Sequence, residues 1–308
     1  MTLRAHASLQ VLRLARRQLV EREVWALIVA FLGRIDSDES SRRFVFSGHE
    51  IALVYLWAVL HDRPVYWACQ RANWADDLRP VRLPNPSTMT RRLRSEACRK
   101  LFRIAHRRLQ QGTPRGLLHI ADGKPLPISK HSHDPEAGYG RGAGAMAKGY
   151  KLHVIAGRNQ HIRAWRVRPM QVSEPKVAGE MVREAKLSGY LLGDRLFDDN
   201  PLHETCRQHG LQLLAERRFG PHRGLGHRWH SPGRLRCIEL LEQSQTGFGL
   251  KLLQERGAIE RLFGQLSSAA YGLHTLPPWV RHADRVERYV SAKILIFTLV
   301  QKRRKRAQ

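Results

Sequence analysis

Three acidic residues that lie far apart in the sequence have the surroundings of metal ligands: Asp122, Asp194 and Glu260. Asp122 follows the apolar run 117–121, and Asp194 follows residues 190–193. Apolar runs of this length predict buried strands. An ionised carboxylate at the end of a buried strand needs a cation, a helix N-terminus or a partner charge. Carboxylate oxygens suit a hard divalent cation, although a strand-terminal Asp is more often a turn or helix cap.

The elements predicted around these residues bring the two aspartates together. The pattern after residue 116 predicts strands 117–122, 150–156 and 162–167, helix 174–187, strand 190–194, helix 201–209, strand 211–214, and helices 251–266 and 283–301. Three antiparallel strands followed by alternating helices and strands describe a mixed α/β sheet covered by helices. A right-handed crossover places the fourth strand beside the first and parallel to it. Asp122 and Asp194 should then emerge at one edge, where they repel unless a cation lies between them.

The third acid, Glu260, lies on a predicted helix. This helix has an apolar face made of Ile259, Leu262, Phe263 and Leu266. Glu260 is beside that face, where it can point at the sheet, and Arg256 lies one turn earlier on the same side. A glutamate at such a boundary is otherwise a salt-bridge partner, so Glu260 alone is weak support for a metal site.

The charge of the chain indicates a polyanionic partner. Lys and Arg number 53 against 27 Asp and Glu, a formal charge of +26. Nucleic acid is the usual partner of such a chain, whereas the even spread of basic residues disfavours a membrane surface. A GC-rich genome would explain the choice of Arg over Lys but not the excess over acids. The four cysteines lack zinc or redox spacing and are expected to be free thiols in a reducing cytoplasm, and the apolar run 294–300 is too short to span a bilayer.

Residues 1–114 are predicted to form a helical domain. A helix is expected from about residue 7 to 32, a capping box at Ser47 and Glu50 starts another, and Ser87 can cap a helix that runs to about Leu109. Between residues 81 and 110 there are nine Lys or Arg and one acid. This pattern fits a helix-turn-helix that presents its basic residues to DNA, including Arg91, Arg92 and Arg94. A bundle helix with a solvated basic face fits equally well, and residues 111–116 are predicted to be a linker.

The blocks around the three acids resemble those of the DDE transposases of bacterial insertion sequences. The resembling blocks are Leu-His-Ile-Ala-Asp122-Gly-Lys124, Lys148-Gly-Tyr-Lys-Leu-His153, Tyr-Leu-Leu-Gly-Asp194-Arg-Leu-Phe-Asp-Asp and Arg256-x-x-x-Glu260-Arg-x-Phe-Gly. The resemblance covers roughly residue 115 to the C-terminus. It departs from the family pattern at Leu253, where the family often has Tyr, and at Ser267, where it often has Lys.

The resemblance implies a domain organisation and an activity. The resemblance implies an RNase H-like catalytic domain (115–301), and the patterns on either side of it predict an N-terminal all-α DNA-binding domain (1–114) and a basic tail (302–308). Asp122, Asp194 and Glu260 would hold two Mg²⁺ or Mn²⁺ ions and catalyse cleavage and strand transfer of insertion-sequence DNA, with Lys124 and Arg256 on phosphate. The partner would be double-stranded DNA, both element ends and target, bound by a dimer or higher multimer in the bacterial cytoplasm at the nucleoid, with no membrane.

Other interpretations remain open at this point. The chain can be a non-catalytic DNA-binding protein derived from a transposase, or a metal-dependent nuclease without strand transfer. His131, His133 and Asp134 suggest a zinc cluster, but no fourth spaced ligand follows, so a solvated or DNA-facing loop is favoured. Asp198 and Asp199 are expected to cap the helix that follows them.

Overall fold

The computed structural model describes residues 20–35, 45–111, 113, 116–142, 144–220, 224–268 and 272–306. Its contacts divide the chain into one unit of residues 1–111 and 291–308 and a second unit of residues 112–290. The division therefore falls within the last helix, whereas the sequence predicts a catalytic domain that extends to residue 301. The start of the predicted helix 7–32 and much of the predicted linker lie outside the described residues.

The first unit contains short helices with side-chain caps. Its helices are α1 (20–32), α2 (Gly48–Leu60), α3 (Val65–Ala68), α4 (Pro86–Leu93) and α5 (Glu96–Gln110). The predicted capping box of α2 is confirmed, because Ser47 Oγ accepts from Glu50 N and Glu50 Oε2 accepts from Ser47 N. The single helix predicted from Ser87 is wrong. Asn85 caps α4, and a new helix starts at Ser95, whose Oγ accepts from Cys98 N at 3.3 Å.

The core of the first unit combines aromatic packing with part of the last helix, α11 (Ala283–Arg306). Trp57 and Trp74 stack with ring centroids 4.5 Å apart. The apolar run 294–300 of α11 is largely buried, and Lys302 Nζ donates to Gln111 O at 3.0 Å. The predicted basic tail (302–308) starts inside a helix, because residues 302–306 continue α11.

The second unit is built on a mixed sheet. Its strands are β1 (Leu118–Pro127), β2 (Gly138–Arg141), β3 (Met146–Gly157), β4 (Ile162–Pro169), β5 (Gly189–Leu192) and β6 (Leu211–Leu214). The order is β2-β3-β1-β5-β6, and β4 also pairs with β3. β3 is antiparallel to β1, β2 and β4, whereas β5 is parallel to both β1 and β6. The predicted parallel pairing of the strands that bear the two aspartates is confirmed.

Helices cover this sheet. They are α6 (Glu174–Glu184), α7 (Asn200–Gln208), α8 (Pro232–Ile238), α9 (Phe248–Gln254), α10 (Gly257–Ser268) and the start of α11. Apolar residues of α6 and α7, including Val177 and Leu202, form a buried cluster with Ala121 of β1 and Ile155 of β3. The predicted helix 251–266 is two helices, since Glu255 and Arg256 form a tight turn. No described helix combines the length and apolar character needed to cross a membrane.

The predicted end of the first strand is wrong, because β1 continues beyond Asp122 to Pro127. It stays paired with β3 over this stretch, from Lys124 opposite Leu152 to Pro127 opposite Gly149. The pairing of β1 with β5 ends at Ile120, so the part of β1 after Ile120 is not hydrogen-bonded to β5. A strand edge of this kind tolerates proline, which lacks a backbone donor.

Candidate active site

Asp122 and Asp194 occupy equivalent positions on neighbouring parallel strands. The pairing of β1 with β5 ends with Ile120 opposite Leu192. Asp122 lies two residues beyond Ile120, and Asp194 lies two residues beyond Leu192. Both residues are half-buried, and the charge of Asp194 raises the pKa of Asp122. The structure thus brings these two carboxylates within electrostatic reach of each other.

The carboxylate of Asp122 is held in an environment that disfavours its charge. The pKa of Asp122 is raised to about 6, mainly by burial and in addition by the charges of Glu174 and Asp194. Two contacts oppose this shift, a hydrogen bond of 2.7 Å from Gly123 N to Oδ1 and the charge of Arg256. A half-buried acid with too few counter-charges favours the approach of a cation.

Asp194 begins a tight turn directly after β5. Its Oδ1 accepts from Leu196 N at 2.8 Å and caps the single 3₁₀ turn Arg195–Phe197. Gly193 makes the turn possible, since a Cβ at this position would lie 2.6 Å from Phe197 Cβ. Asp194 is therefore a cap, as strand-terminal aspartates often are, and the hydrogen bond also fixes its orientation. A carboxylate has enough lone pairs to accept this bond and still ligate an ion.

Glu260 is exposed on α10, a helix that contacts β1. Arg256, just before the helix, acts electrostatically on Asp122, and Lys124 Nζ donates to Ser267 Oγ at 2.7 Å. Glu260 lies seven residues before Ser267, which places both on one helix face. Even so, Asp122, Asp194 and Glu260 do not bring three ligand atoms within 4.8 Å of one another among the described residues.

Within the described residues, the group that does meet this distance is Asp134, Glu136 and His282. Its oxygens already accept backbone and side-chain donors. Asp134 Oδ2 accepts from His282 N and Tyr150 Oη, both at 2.9 Å, and Glu136 Oε2 accepts from Ala283 N. These bonds cap the N-terminus of α11, so the group is explained as a helix cap.

The residues near this cap do not form the zinc cluster considered from the sequence. His131 and His133 are exposed and do not belong to the group of Asp134, Glu136 and His282. Of the two predicted caps of α7, Asp199 accepts from Leu202 N at 3.2 Å, as expected. Asp198 instead accepts both Nε and Nη2 of Arg234, at 2.7 and 2.8 Å.

Sequence reasoning missed two residues beside Asp122. Glu174, the first residue of α6, accepts from Lys151 Nζ of β3 at 2.6 Å, and both side chains are largely buried. The charge of Glu174 raises the pKa of Asp122 more than that of Asp194 does. No spacing in the sequence signals this contact, because it depends on how α6 packs across the sheet.

The arginines predicted to contact DNA differ in exposure. Arg91, near the end of α4, and Arg94, which follows the helix, are exposed. Arg92 is only 7% exposed, and its Nη2 donates to Phe46 O at 3.4 Å. The guanidinium of Arg92 therefore lies inside the first unit, turned away from solvent.

Comparison with known proteins places these residues in one matched region. Residues 114–278 match the family described as "Transposase DDE domain", and this stretch is more than half of the chain. It includes Asp122, Glu174, Asp194 and Glu260. No curated protein and no solved structure matches the chain.

Proposed function

This chain belongs to the transposase DDE domain family, and from that premise we propose that it cleaves and transfers the DNA of a bacterial insertion sequence. One observation carries the proposal. Asp122 within β1 and Asp194 just after β5 each lie two residues beyond the last pair of these neighbouring parallel strands, and their charges interact. The three antiparallel strands β1, β3 and β4, continued by the parallel strands β5 and β6, support an RNase H-like core.

The residues around Asp122 fit a divalent metal centre. Two half-buried carboxylates offer hard oxygen ligands, and the pKa of Asp122, raised mainly by burial, supports a nearby cation as the group that would stabilise its charge. We propose that Asp122 and Asp194 are ligands and that Glu260 completes the set from the exposed face of α10. Two Mg²⁺ or Mn²⁺ ions bound there would activate the attacking oxygen and stabilise the leaving one.

The protein contributes orientation and positive charge. Gly123 N and Leu196 N hold the two aspartates by hydrogen bonds before any substrate arrives, which is the preorganisation that such sites need. Lys124 of β1 donates to Ser267 near the end of α10, and Arg256 directly precedes this helix; both are proposed to contact the phosphate backbone. The proposed reaction needs no protein nucleophile, since the oxygen that attacks comes from water and then from a DNA 3′-hydroxyl.

The remaining features concern DNA binding. The formal charge of +26 supports strong electrostatic attraction to DNA. In the first unit we propose Arg91 and Arg94 as phosphate contacts, and the burial of Arg92 leads us to leave it out. We further propose that the protein acts on double-stranded element ends and target DNA as a dimer or higher multimer in the bacterial cytoplasm at the nucleoid.

The proposal is tested with purified protein and duplex DNA that carries the ends of its own element. Asp122→Asn, Asp194→Asn and Glu260→Gln should each reduce Mg²⁺-dependent cleavage by at least about a hundredfold while DNA binding in a gel-shift assay persists. Asp199→Asn is the matched control, because Asp199 caps α7 close to Asp194 and should retain activity.

The same assay separates the alternative functions. A transposase joins a pre-cut 3′ end to target DNA, whereas a simple nuclease cuts but does not join. A non-catalytic descendant binds the duplex and cleaves nothing. Cleavage by Asp122→Asn at the wild-type rate would exclude the metal site proposed here.

A further inference from the structure

A buried ion pair follows the tight turn that begins at Asp194. The side chains of Asp198 and Arg234 are 3% and 15% exposed, and the two oxygens of Asp198 accept Nε and Nη2 of Arg234 at 2.7 and 2.8 Å. A two-point contact of this kind fixes the relative orientation of the two groups as well as their distance. Burying two charges is costly even when they pair, so the pair is weak evidence of a purely stabilising role.

The turn after Asp194 is a short, hydrogen-bonded link to Asp198. Phe197 N donates to Asp194 O at 3.0 Å, and Asp198 N donates to Arg195 O at 3.3 Å. Phe197 is 2% exposed and packs in the buried cluster of α6 and α7. Because this link has little freedom, a displacement of Asp198 is passed on to Asp194.

The carboxylate of Asp198 joins the turn to three other parts of the second unit. Arg234 belongs to α8. Arg218 N, which follows β6, donates to Asp198 Oδ2 at 3.1 Å, and His203 Nε2 of α7 lies 3.4 Å from Oδ1. The position of the turn relative to α7, α8 and the end of β6 therefore depends on this one side chain.

The pair carries no net charge near neutral pH. Burial alone would raise the pKa of Asp198, but the hydrogen bonds from Arg234 outweigh it and hold the pKa well below its usual range. Removal of one partner therefore changes the net charge near Asp194, whereas removal of both charges leaves it unchanged.

We propose that Asp198 and Arg234 are positioning residues that hold Asp194 in the orientation in which it binds the metal ion. The inference rests on the proposed function, since it concerns a proposed ligand of the same centre. Both residues act through the turn, and neither binds the ion. Residues that orient metal ligands in this way typically contribute about tenfold or more to metal affinity.

Charge and position have different signatures in metal binding. Asp198→Asn removes a negative charge and Arg234→Gln removes a positive one, so an electrostatic role alone would weaken Mn²⁺ binding in the first variant and strengthen it in the second. Loss of positioning weakens binding in both. The double variant Asp198→Asn/Arg234→Gln keeps the net charge of the pair and should bind Mn²⁺ about tenfold more weakly than the wild type.

The test measures Mn²⁺ binding to the full-length protein without DNA, by electron paramagnetic resonance of the free ion, together with thermal unfolding. The double variant leaves no buried charge unpaired and should regain part of the stability that each single variant loses. Weak Mn²⁺ binding by a stable double variant then reports position alone. Arg234→Lys keeps the charge but loses the two-point contact, and it should also weaken binding.

Glu204→Gln is the matched control. Glu204 accepts from Arg207 and from Ser231, the residue that caps α8, so its loss disturbs the same neighbourhood without touching the turn. This variant should bind Mn²⁺ as the wild type does. Wild-type affinity in the double variant, or changes of opposite sign in the two single variants, would overturn the proposal. If a single variant does not fold, the double variant decides alone.

Asp194→Asn separates this inference from the proposed function. If Asp194→Asn loses Mn²⁺ binding and the double variant does not, the metal centre stands and the role of Asp198 and Arg234 is refuted. If Asp194→Asn binds Mn²⁺ as the wild type does, the proposed function itself is refuted, and the inference with it.

Discussion

Neutralising Asp122 should stabilise the metal-free protein while it destroys the proposed activity. The pKa of Asp122 is raised from 3.8 to about 6, mainly by burial. One pKa unit corresponds to about 1.4 kcal/mol, so the ionised carboxylate destabilises the fold by roughly 3 kcal/mol at neutral pH. Asp122→Asn removes this charge at nearly constant volume, and we expect a gain in the free energy of unfolding of about 1 to 3 kcal/mol.

The dependence on pH follows from the direction of the shift. The unfolded chain loses the Asp122 proton near 3.8, whereas the folded protein keeps it until about pH 6. The folded state therefore binds the proton more tightly, and stability falls as pH rises through this window. The difference in free energy of unfolding between Asp122→Asn and wild type should be largest at pH 7.5 and shrink towards zero as the pH approaches 4.

The measurement is urea denaturation in EDTA at several pH values, followed by circular dichroism. Asp76→Asn is the control for a carboxylate-to-amide change, because the Asp76 side chain is 93% exposed and the change should be near zero. Added Mg²⁺ should stabilise the wild type and not Asp122→Asn, since only the wild type binds the ion in its folded state. A variant that is less stable than wild type at pH 7.5, or a difference independent of pH, would refute the reasoning.

Three further predictions concern other parts of the chain. The buried ammonium of Lys293 lies 2.7 Å from Asp62 Oδ1. Asp62→Asn removes the charge of this carboxylate, and thermal unfolding should show that the free energy of unfolding falls by about 2 kcal/mol. Arg91→Ala should lower the slope of log affinity for DNA against log salt by about one unit without changing the melting temperature, whereas Arg92→Ala should lower the melting temperature and keep the slope. Asp134→Ala removes acceptors at the start of α11 and should destabilise the protein by about 2 kcal/mol in urea; loss of Mn²⁺ binding in this variant would contradict its interpretation as a cap.

The arrangement of Asp122 and Asp194 was predictable because it depends on local pattern and chain handedness. Each residue follows an apolar run of strand length, and a right-handed crossover makes the two strands parallel neighbours. The structure confirms this pairing from Leu118 opposite Tyr190 to Ile120 opposite Leu192. The resemblance to DDE transposases was likewise carried by short blocks, and the family match agrees with it.

What the sequence did not predict depends on contacts between distant segments. The first strand was predicted to end at Asp122, yet β1 continues because β3 is long enough to pair with it as far as Pro127. Arg92 looked like its exposed neighbours, and only packing against Phe46 reveals its burial. Glu174 looked like an ordinary first residue of a helix, and only the packing of α6 on the sheet brings it to Gly123.

The central claim is tested most directly by locating bound Mn²⁺ through anomalous diffraction from crystals of the full-length protein. The account predicts a peak between the carboxylates of Asp122 and Asp194, with Glu260 turned towards it. A peak at Asp134, Glu136 and His282, or no ordered ion beside Asp122 at saturating Mn²⁺, would contradict it.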